Sequence, residues 1–422
     1  DISSDEVSNI FASLKKKKKY YKLKNGNYLD LRDNNINELN NLCEDMELSS
    51  DDISNGSGRI PKYKAIYLDS LKDNRYHIIN TNNLFDDFVS NFNTYKNMRF
   101  RFDKDDKEIL RDYQEVGVKW LYNIYKCGFG GILADEMGLG KSLQTICFIK
   151  KVLKDKPKSK ILIVTPSSLC YNWEKEILKF APSLSYHILA ESKSKRREFL
   201  SGDNDNNIYI TSYGLLREDK EELSNINFEV CIIDEAQSIK NSNIGITKAV
   251  KSINSNCNIA LTGTPIENSL MELWSIFDFL MPGFFGSESS FHSKYNVKSF
   301  GDDDKEKLRL LNKQISPFIL RRKKSDVLKE LPSKIDNNIY IDLKDEQKKL
   351  YATLVEETKK EMDEIVATEG FSKARFKILE LLMRLRQVCI DPAIVYDNYD
   401  GGSAKIEEAV KVIKEVVSNG HK

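Results

Sequence analysis

The sequence predicts an α/β protein: a parallel sheet with helices on both faces and helical insertions, preceded by a small α+β accessory region. Three observations carry this. Short apolar runs recur, separated by helical or loop segments: Gly131–Ala134, Ile161–Val164, Ile208–Thr211, Val230–Ile233 and Ile259–Leu261. Near-continuous apolar strands of this kind belong to parallel sheets buried on both sides. The first run leads into Gly138-Leu139-Gly140-Lys141-Ser142 and then an amphipathic stretch, which is the order strand, glycine-rich turn, helix. Polar motifs directly follow the other runs, and in open parallel sheets function gathers past the carboxyl ends of the strands.

The chain has 422 residues, 40% hydrophobic and 31% charged, which suits a soluble protein of two or three domains. No apolar run approaches the ~18 residues of a membrane span, so no membrane partner is expected. With 65 basic and 64 acidic residues the net charge is +1, and any nucleic-acid binding must use local patches. Seven scattered cysteines and four histidines read as buried thiols in a reducing, cytoplasmic setting rather than a zinc site or a disulfide framework. The chain begins at Asp1, as expected of a piece of a longer protein.

Residues 1–105 form the accessory region. After the basic run Lys15–Lys19, residues 20–31 alternate around Asn25-Gly26, a hairpin signal. The lysines read either as a phosphate-backbone contact or as a solvated strand edge. Acidic, Ser/Asn/Gly-rich sequence over 44–58 predicts a mobile linker. Lys64–Leu68 and Tyr76–Asn80 read as strands, and Leu84–Phe92 as a helix. Residues 106–335 then form the lobe that carries the sheet, opened by Leu110–Gln114 and an amphipathic helix with Val116, Trp120, Leu121 and Ile124 at helical spacing. A helical insertion is expected near 281–316, including Lys305–Gln314. Residues 336–422 read as a helical linker or protrusion with long helices over Glu346–Val366 and Arg375–Val388. The basic cluster Arg321–Lys324 reads as a phosphate contact or a solvated linker.

Backbone N–H groups at the Gly138–Ser142 turn form an anion cradle at a helix N-terminus. Lys141 suits β- and γ-phosphates, and the Ser142 hydroxyl suits Mg²⁺. The phosphate-loop pattern wants glycine at 135, where this chain has Asp135. Asp234-Glu235 ends the fourth run and offers two carboxylates, Asp234 for Mg²⁺ and Glu235 to orient and deprotonate an attacking water. Thr262-Gly263-Thr264 follows the fifth run and suits a turn coupling the nucleotide site to something else. Ser167, Asn172 and Trp173 past the second run, and Thr211 and Ser212 past the third, are candidates for contacts to a sugar–phosphate backbone.

Together, Leu110–Gln114, Leu133–Ser142, Ile163–Trp173, Ile232–Gln237 and Leu261–Asn268 resemble the SWI/SNF-type DNA-dependent ATPases of helicase superfamily two. Phe318–Val327 is similar to that family's passage out of its first lobe, and Leu381–Pro392 to a helix ahead of its second. The accessory region resembles the domain that precedes some bacterial members. The resemblance implies two RecA-like lobes, of which this chain carries the first, closing on ATP–Mg²⁺ and tracking along double-stranded DNA to remodel protein–DNA complexes. It implies an adenine contact for Gln114, and nucleotide binding by Gly138, Leu139, Gly140, Lys141, Ser142 and Leu143. Coupling to the lobe interface falls to Gln237, Thr262, Gly263 and Thr264. Many members have histidine where this chain has Gln237, whereas aspartate at position 135 is common in the family. The implied partners are duplex DNA, a second lobe of the same full-length chain and a DNA-bound protein, with a nucleoid setting in a bacterium.

The last residues resemble the family's lead into the second lobe, so the lobe and its transition-state arginines are expected to lie outside this chain. Such arginines are worth ~10³–10⁵ in rate, and the isolated chain is expected to bind ATP weakly and hydrolyse it barely. Two other functions are open: a strand-separating helicase or restriction-type motor, and a nucleotide- or DNA-binding module that does not hydrolyse.

Overall fold

A computed structural model describes residues 4–420 apart from 17, 47, 73–79, 96–99, 203–204, 242–243, 264–269, 296–301, 329–336 and 370. The chain divides into two compact units, Asp1–Leu331 and Pro332–Lys422.

The first unit is organised by a seven-stranded, all-parallel sheet. Two short strands precede it, β1 (Tyr20–Lys22) and β2 (Tyr28–Asp30), paired as the expected hairpin with Gly26 at φ +89°. The sheet itself comprises β3 (Gly131–Leu133), β4 (Ile161–Thr165), β5 (Tyr186–Ile188), β6 (Ile208–Ser212), β7 (Phe228–Asp234), β8 (Ser255–Leu261) and β9 (Ile319–Leu320), in the order β5-β6-β4-β7-β8-β3-β9. All five apolar runs are strands, and β4 and β6 are buried along their whole length. β5 and β9, the two edge strands, were not among those runs. They have three and two residues, only partly buried, so neither leaves a run long enough to read.

The order of strands determines the site. β8 lies between β3 and β7, in register Ile132↔Ala260 and Ile233↔Ala260. The loop after β3, the turn after β8 and the carboxylates ending β7 therefore emerge side by side. The helix Asp112–Cys127 lies close against β3. Any side chain at Gly131 would place its Cβ 2.8 Å from the Trp120 ring.

The accessory region is mostly helical, which corrects two expectations. Lys64–Leu68 belongs to the helix Tyr63–Lys72, not a strand. Its buried residues Lys64, Tyr67 and Leu71 follow helical spacing, which a five-residue run is too short to reveal. Lys64 Nζ donates to the Asp45 carbonyl (2.8 Å), and Tyr67 Oη to the Asp45 carboxylate (2.8 Å), on which Lys294 also closes an ion pair. The acidic stretch over 44–58 is not all linker: Ser50–Asn55 is a helix whose N-cap Ser49 and Asp52 form a reciprocal capping box. Leu84–Phe92 falls in the helix Asn83–Asn93 as expected, whereas most of Tyr76–Asn80 lies outside the described residues.

The stretch near 281–316 carries the helices Glu288–Tyr295 and Asp302–Ile315. In the second unit the long helices run over Asp345–Glu369 and Phe371–Ile390, and a third over Ala404–Ser418. Buried Gln347 ties them together, donating to the Val388 carbonyl (3.1 Å) and accepting from the Ala404 N–H (3.3 Å).

Candidate functional site: a phosphate loop facing a carboxylate pair

The loop leaving β3 turns back through Gly138 (φ +85°) and Gly140 (φ +76°) to start the helix Lys141–Asp155. No side chain caps that helix, so the first-turn N–H groups of Lys141, Ser142 and Leu143 point at the turn unpaired by a cap. Lys141 Nζ rests on the Asp135 carbonyl (2.9 Å), inside the loop. Leu139 is fully buried and pins the loop through its carbonyl, which accepts from Gln114 Nε2 (3.1 Å), Gln144 Nε2 (3.3 Å) and the Tyr113 hydroxyl (3.3 Å).

Gln114 therefore stands behind the loop. Its Oε1 accepts from the Arg111 N–H (3.0 Å), so both ends of its amide are engaged with the protein. A Cβ at Gly140 would lie 2.5 Å from Gln114 Nε2. Gly140→Ala is expected to lose about 1–2 kcal/mol to the left-handed backbone alone, and to push Gln114 off Leu139. A denaturant melt reads the first effect and weakened nucleotide binding the second.

Asp135 is fully buried and accepts in an ion pair with a residue far along the same chain. Arg322, just beyond β9, donates Nε to Asp135 Oδ1 (2.9 Å) and Nη2 to Asp135 Oδ2. The same guanidinium reaches the Tyr113 carbonyl and Gln144 Oε1 (2.7 Å), and lies over the Tyr113 ring. Gly117 makes room for this arrangement, since a Cβ there would overlap Gln144 Oε1 and come within 2.8 Å of Arg322 Nη2. The late basic cluster thus contains one residue built into the core of the phosphate loop.

Across the loop, Asp234 ends β7. Its Oδ2 accepts from Trp173 Nε1 (2.9 Å), its Oδ1 from the Glu235 N–H (2.9 Å), and its carbonyl from the Tyr213 hydroxyl (2.6 Å). Burial pushes the Asp234 carboxyl above the ordinary range, the Trp173 indole pulls it back, and the Glu235 charge raises it again. Glu235 sits at φ +51°, the one non-glycine residue with positive φ among the described residues. Left-handed backbone at a residue with a side chain stores ~1–3 kcal/mol and gathers at functional sites. Gln237 Nε2 holds Glu235 Oε2 (2.7 Å), and Gln237 Oε1 accepts from Thr262 Oγ1 (3.1 Å). The Thr262 N–H in turn donates to the Leu133 carbonyl on β3 (3.2 Å). A continuous chain of contacts thus runs from the carboxylate pair to the strand that carries the phosphate loop. Gly263 adjoins Met137 of that loop, and Thr264 lies outside the described residues.

These elements enclose a cavity of about 290 Å³. Gly138, Gly140, Lys141 and Ser142 line one side, Asp234 and Glu235 another, and Asn172, Trp173 and Glu176 of the helix Cys170–Phe180 the third. Sequence reasoning missed Glu176, and it took Arg322 only as part of the basic cluster Arg321–Lys324, a phosphate contact or a solvated linker, without its pairing to Asp135. The spacing Trp173-x-x-Glu176, one helical turn past a strand, was the available signal for the first.

The candidates for DNA contact divide. Ser167 and Asn172 are exposed. Trp173 is buried with its indole on Asp234, Thr211 is buried along β6, and buried Ser212 caps the next helix by accepting from the Leu215 N–H (3.3 Å). A parallel strand covered on both faces hides its last residues, here Thr211 and Ser212, while the Trp173 indole on its helix is taken up by Asp234.

Comparison with known proteins shows the family to which the chain is similar. A family described as the SNF2-related domain matches residues 113–394, and one described as bacterial SNF2 helicase associated matches residues 1–103. An uncharacterized ATP-dependent helicase of Mycoplasma pneumoniae is 40% identical over 370 residues, covering 86% of this chain and 34% of the relative. The putative ATP-dependent helicase/translocase YwqA of Bacillus subtilis is 37% identical over 319 residues, covering 74% and 34%. The chain spans about a third of the length of these curated relatives. Among solved structures, the Sulfolobus solfataricus SWI2/SNF2 ATPase core in complex with dsDNA is 38% identical with a TM-score of 0.51, covering 76% of this chain and 68% of that one.

Proposed function

This chain belongs to the SNF2 family of helicase superfamily two, and from that membership we propose that its full-length protein is a DNA-dependent ATPase that translocates on duplex DNA and remodels protein–DNA complexes. The observation that carries the reading is the connected set Glu235–Gln237–Thr262–Leu133, which joins the carboxylate pair to the phosphate-loop strand around one cavity. A site that merely bound nucleotide would not need that linkage.

The donor set fits magnesium: a serine hydroxyl and a carboxylate are hard oxygen ligands, which Mg²⁺ takes together with phosphate oxygens and water. Ser142 and Asp234 would hold the ion, whose bound charge offsets the charge that develops on the transferring phosphate. The chain's own groups do the rest. The N–H groups at the start of the helix Lys141–Asp155 cradle phosphate. Lys141 leaves the Asp135 carbonyl to meet the β- and γ-phosphates. Glu235 orients water and accepts its proton, with Gln237 holding the far carboxylate oxygen. Gln237 and Thr262 relay the state of the nucleotide toward the lobe interface.

The duplex DNA partner is proposed on the likeness to a core solved with dsDNA and on the exposed Ser167 and Asn172 past β4. In a bacterium the target would be nucleoid DNA. No described helix is long and apolar enough to cross a membrane. Catalytic closure calls for a second lobe, and the 422-residue chain alone is expected to hydrolyse ATP slowly at best. Displacement of a third strand from a DNA triplex tests translocation. The full-length protein is expected to displace it in an ATP-dependent way and to leave a forked duplex paired. Unwinding of the fork would assign the strand-separating reading instead.

A further inference from the structure

β4 runs beside β7, with Val164 opposite Ile233, so the helix Cys170–Phe180 that follows β4 starts close to the end of β7. Cys170, Trp173 and Ile177 form the buried face of that helix, at helical spacing. Trp173 is 2% exposed, yet it borders the nucleotide cavity. Its indole N–H donates to Asp234 Oδ2 (2.9 Å). Asp234 Oδ1 accepts from the Glu235 N–H (2.9 Å), and the Thr165 hydroxyl stands 3.5 Å from Oδ2. These donors are all neutral. They fix the direction of the carboxylate without cancelling its charge. A carboxylate offers about four lone-pair sites, so Asp234 keeps acceptor capacity for an ion in the cavity that it lines with Lys141 and Ser142. A buried indole N–H needs an acceptor. Here that acceptor is the carboxylate ending β7 rather than a backbone carbonyl, which ties a core side chain to the group read above as a metal ligand.

We propose that Trp173 is a positioning residue for the metal: its indole N–H holds the Asp234 carboxylate in the orientation that takes the ion, and so sets the magnesium affinity of the nucleotide site. This rests on the ATP–Mg²⁺ reading above. An indole N–H is a donor only, so Trp173 offers nothing to a cation directly and acts through Asp234. A ligand oriented in advance loses less freedom when the ion arrives, and outer partners of this kind are worth about 10–100-fold in metal affinity. Tyr213 supplies a contrast within the same site. It too is buried and bonds Asp234, but its hydroxyl donates to the backbone carbonyl (2.6 Å) rather than to the carboxylate. The assignment moves Trp173 from the DNA candidates to the nucleotide site. Asn172 beside it on the helix, and Ser167 in the turn before, remain exposed.

Magnesium titration of the full-length protein with a fluorescent, non-hydrolysable ATP analogue tests this, repeated in EDTA for metal-free affinity. Trp173→Phe keeps an aromatic ring and removes the donor. It is expected to raise the Mg²⁺ midpoint about 10–100-fold and to leave the affinity in EDTA unchanged. Replacing Trp173 by benzothienylalanine, in which sulfur stands in place of the N–H on a ring of the same shape, is expected to do the same and decides the matter if Trp173→Phe does not fold. Tyr213→Phe removes a hydrogen bond from the same aspartate and is expected to lower the melting temperature without moving the midpoint. An unmoved or lowered midpoint on loss of the indole N–H overturns the proposal. So does an equal rise in Tyr213→Phe, or a loss of EDTA affinity in step with the magnesium-supported one, since either would mark general damage around Asp234. A wild-type protein that binds no nucleotide at any Mg²⁺ concentration would instead overturn the ATP reading itself.

Discussion

Glu235→Gln is expected to lower DNA-stimulated ATP turnover of the full-length protein by ~10²–10⁴-fold, the usual contribution of a positioned general base. ATP binding should change little. The reason is local. Glu235 sits in a left-handed backbone conformation, braced by its N–H on Asp234 and by Gln237 on one carboxylate oxygen. Glutamine preserves size and one accepting oxygen but cannot take a proton from water. The expected result is thus a fall in kcat with KM nearly constant, the signature of an interaction made in the transition state. Steady-state kinetics with saturating duplex DNA measure it. A matching rise in KM with kcat intact would place Glu235 in substrate binding instead.

Arg322→Ala carries the largest expected effect on stability. Asp135 is fully buried, and its carboxylate receives both forks of the Arg322 guanidinium together with Gln144 Nε2 (3.1 Å). Removing the arginine leaves a buried charge with one neutral donor. Breaking a buried pair from one side is worth about 3–5 kcal/mol. Equilibrium denaturation of the chain reads this directly. Arg322→Lys should recover only part of the loss, because an ammonium cannot reproduce the bidentate fork. The double change Asp135→Ala with Arg322→Ala should be less destabilised than Arg322→Ala alone, since it removes the stranded carboxylate. The loop's hold on Lys141 should weaken in Arg322→Ala, because the backbone carbonyl on which Lys141 Nζ rests belongs to Asp135, the residue that Arg322 anchors.

The sheet was readable where burial made it so. β4, β6 and the middle of β7 are hidden on both faces, and that forces unbroken apolar runs. The edges lack that pressure, and β5 and β9 left no signal. Lys64–Leu68 misled because a short apolar segment satisfies strand and helix alike, and the buried Lys64 looks polar until Asp45 is found opposite it. The same division runs through the site. Glycines, Lys141, Ser142, Asp234 and Glu235 declare themselves through local spacing after strands. Partners brought together by the fold do not. Arg322 lies 187 residues from Asp135, and nothing in either neighbourhood announces the pair. Asp135, which breaks the simplest phosphate-loop pattern, is explained once its partner is seen. Gln114, read as an adenine contact, braces the loop from behind, with both ends of its amide engaged in the protein.

The central claim is that nucleotide turnover at this loop is coupled to duplex DNA. Phosphate release by the full-length protein, measured without DNA, with single-stranded DNA and with duplex, tests it most directly. The account predicts slow release alone, the strongest stimulation by duplex, and loss of that stimulation in Lys141→Ala. Release that duplex does not accelerate, and that Lys141→Ala leaves unchanged, would contradict it.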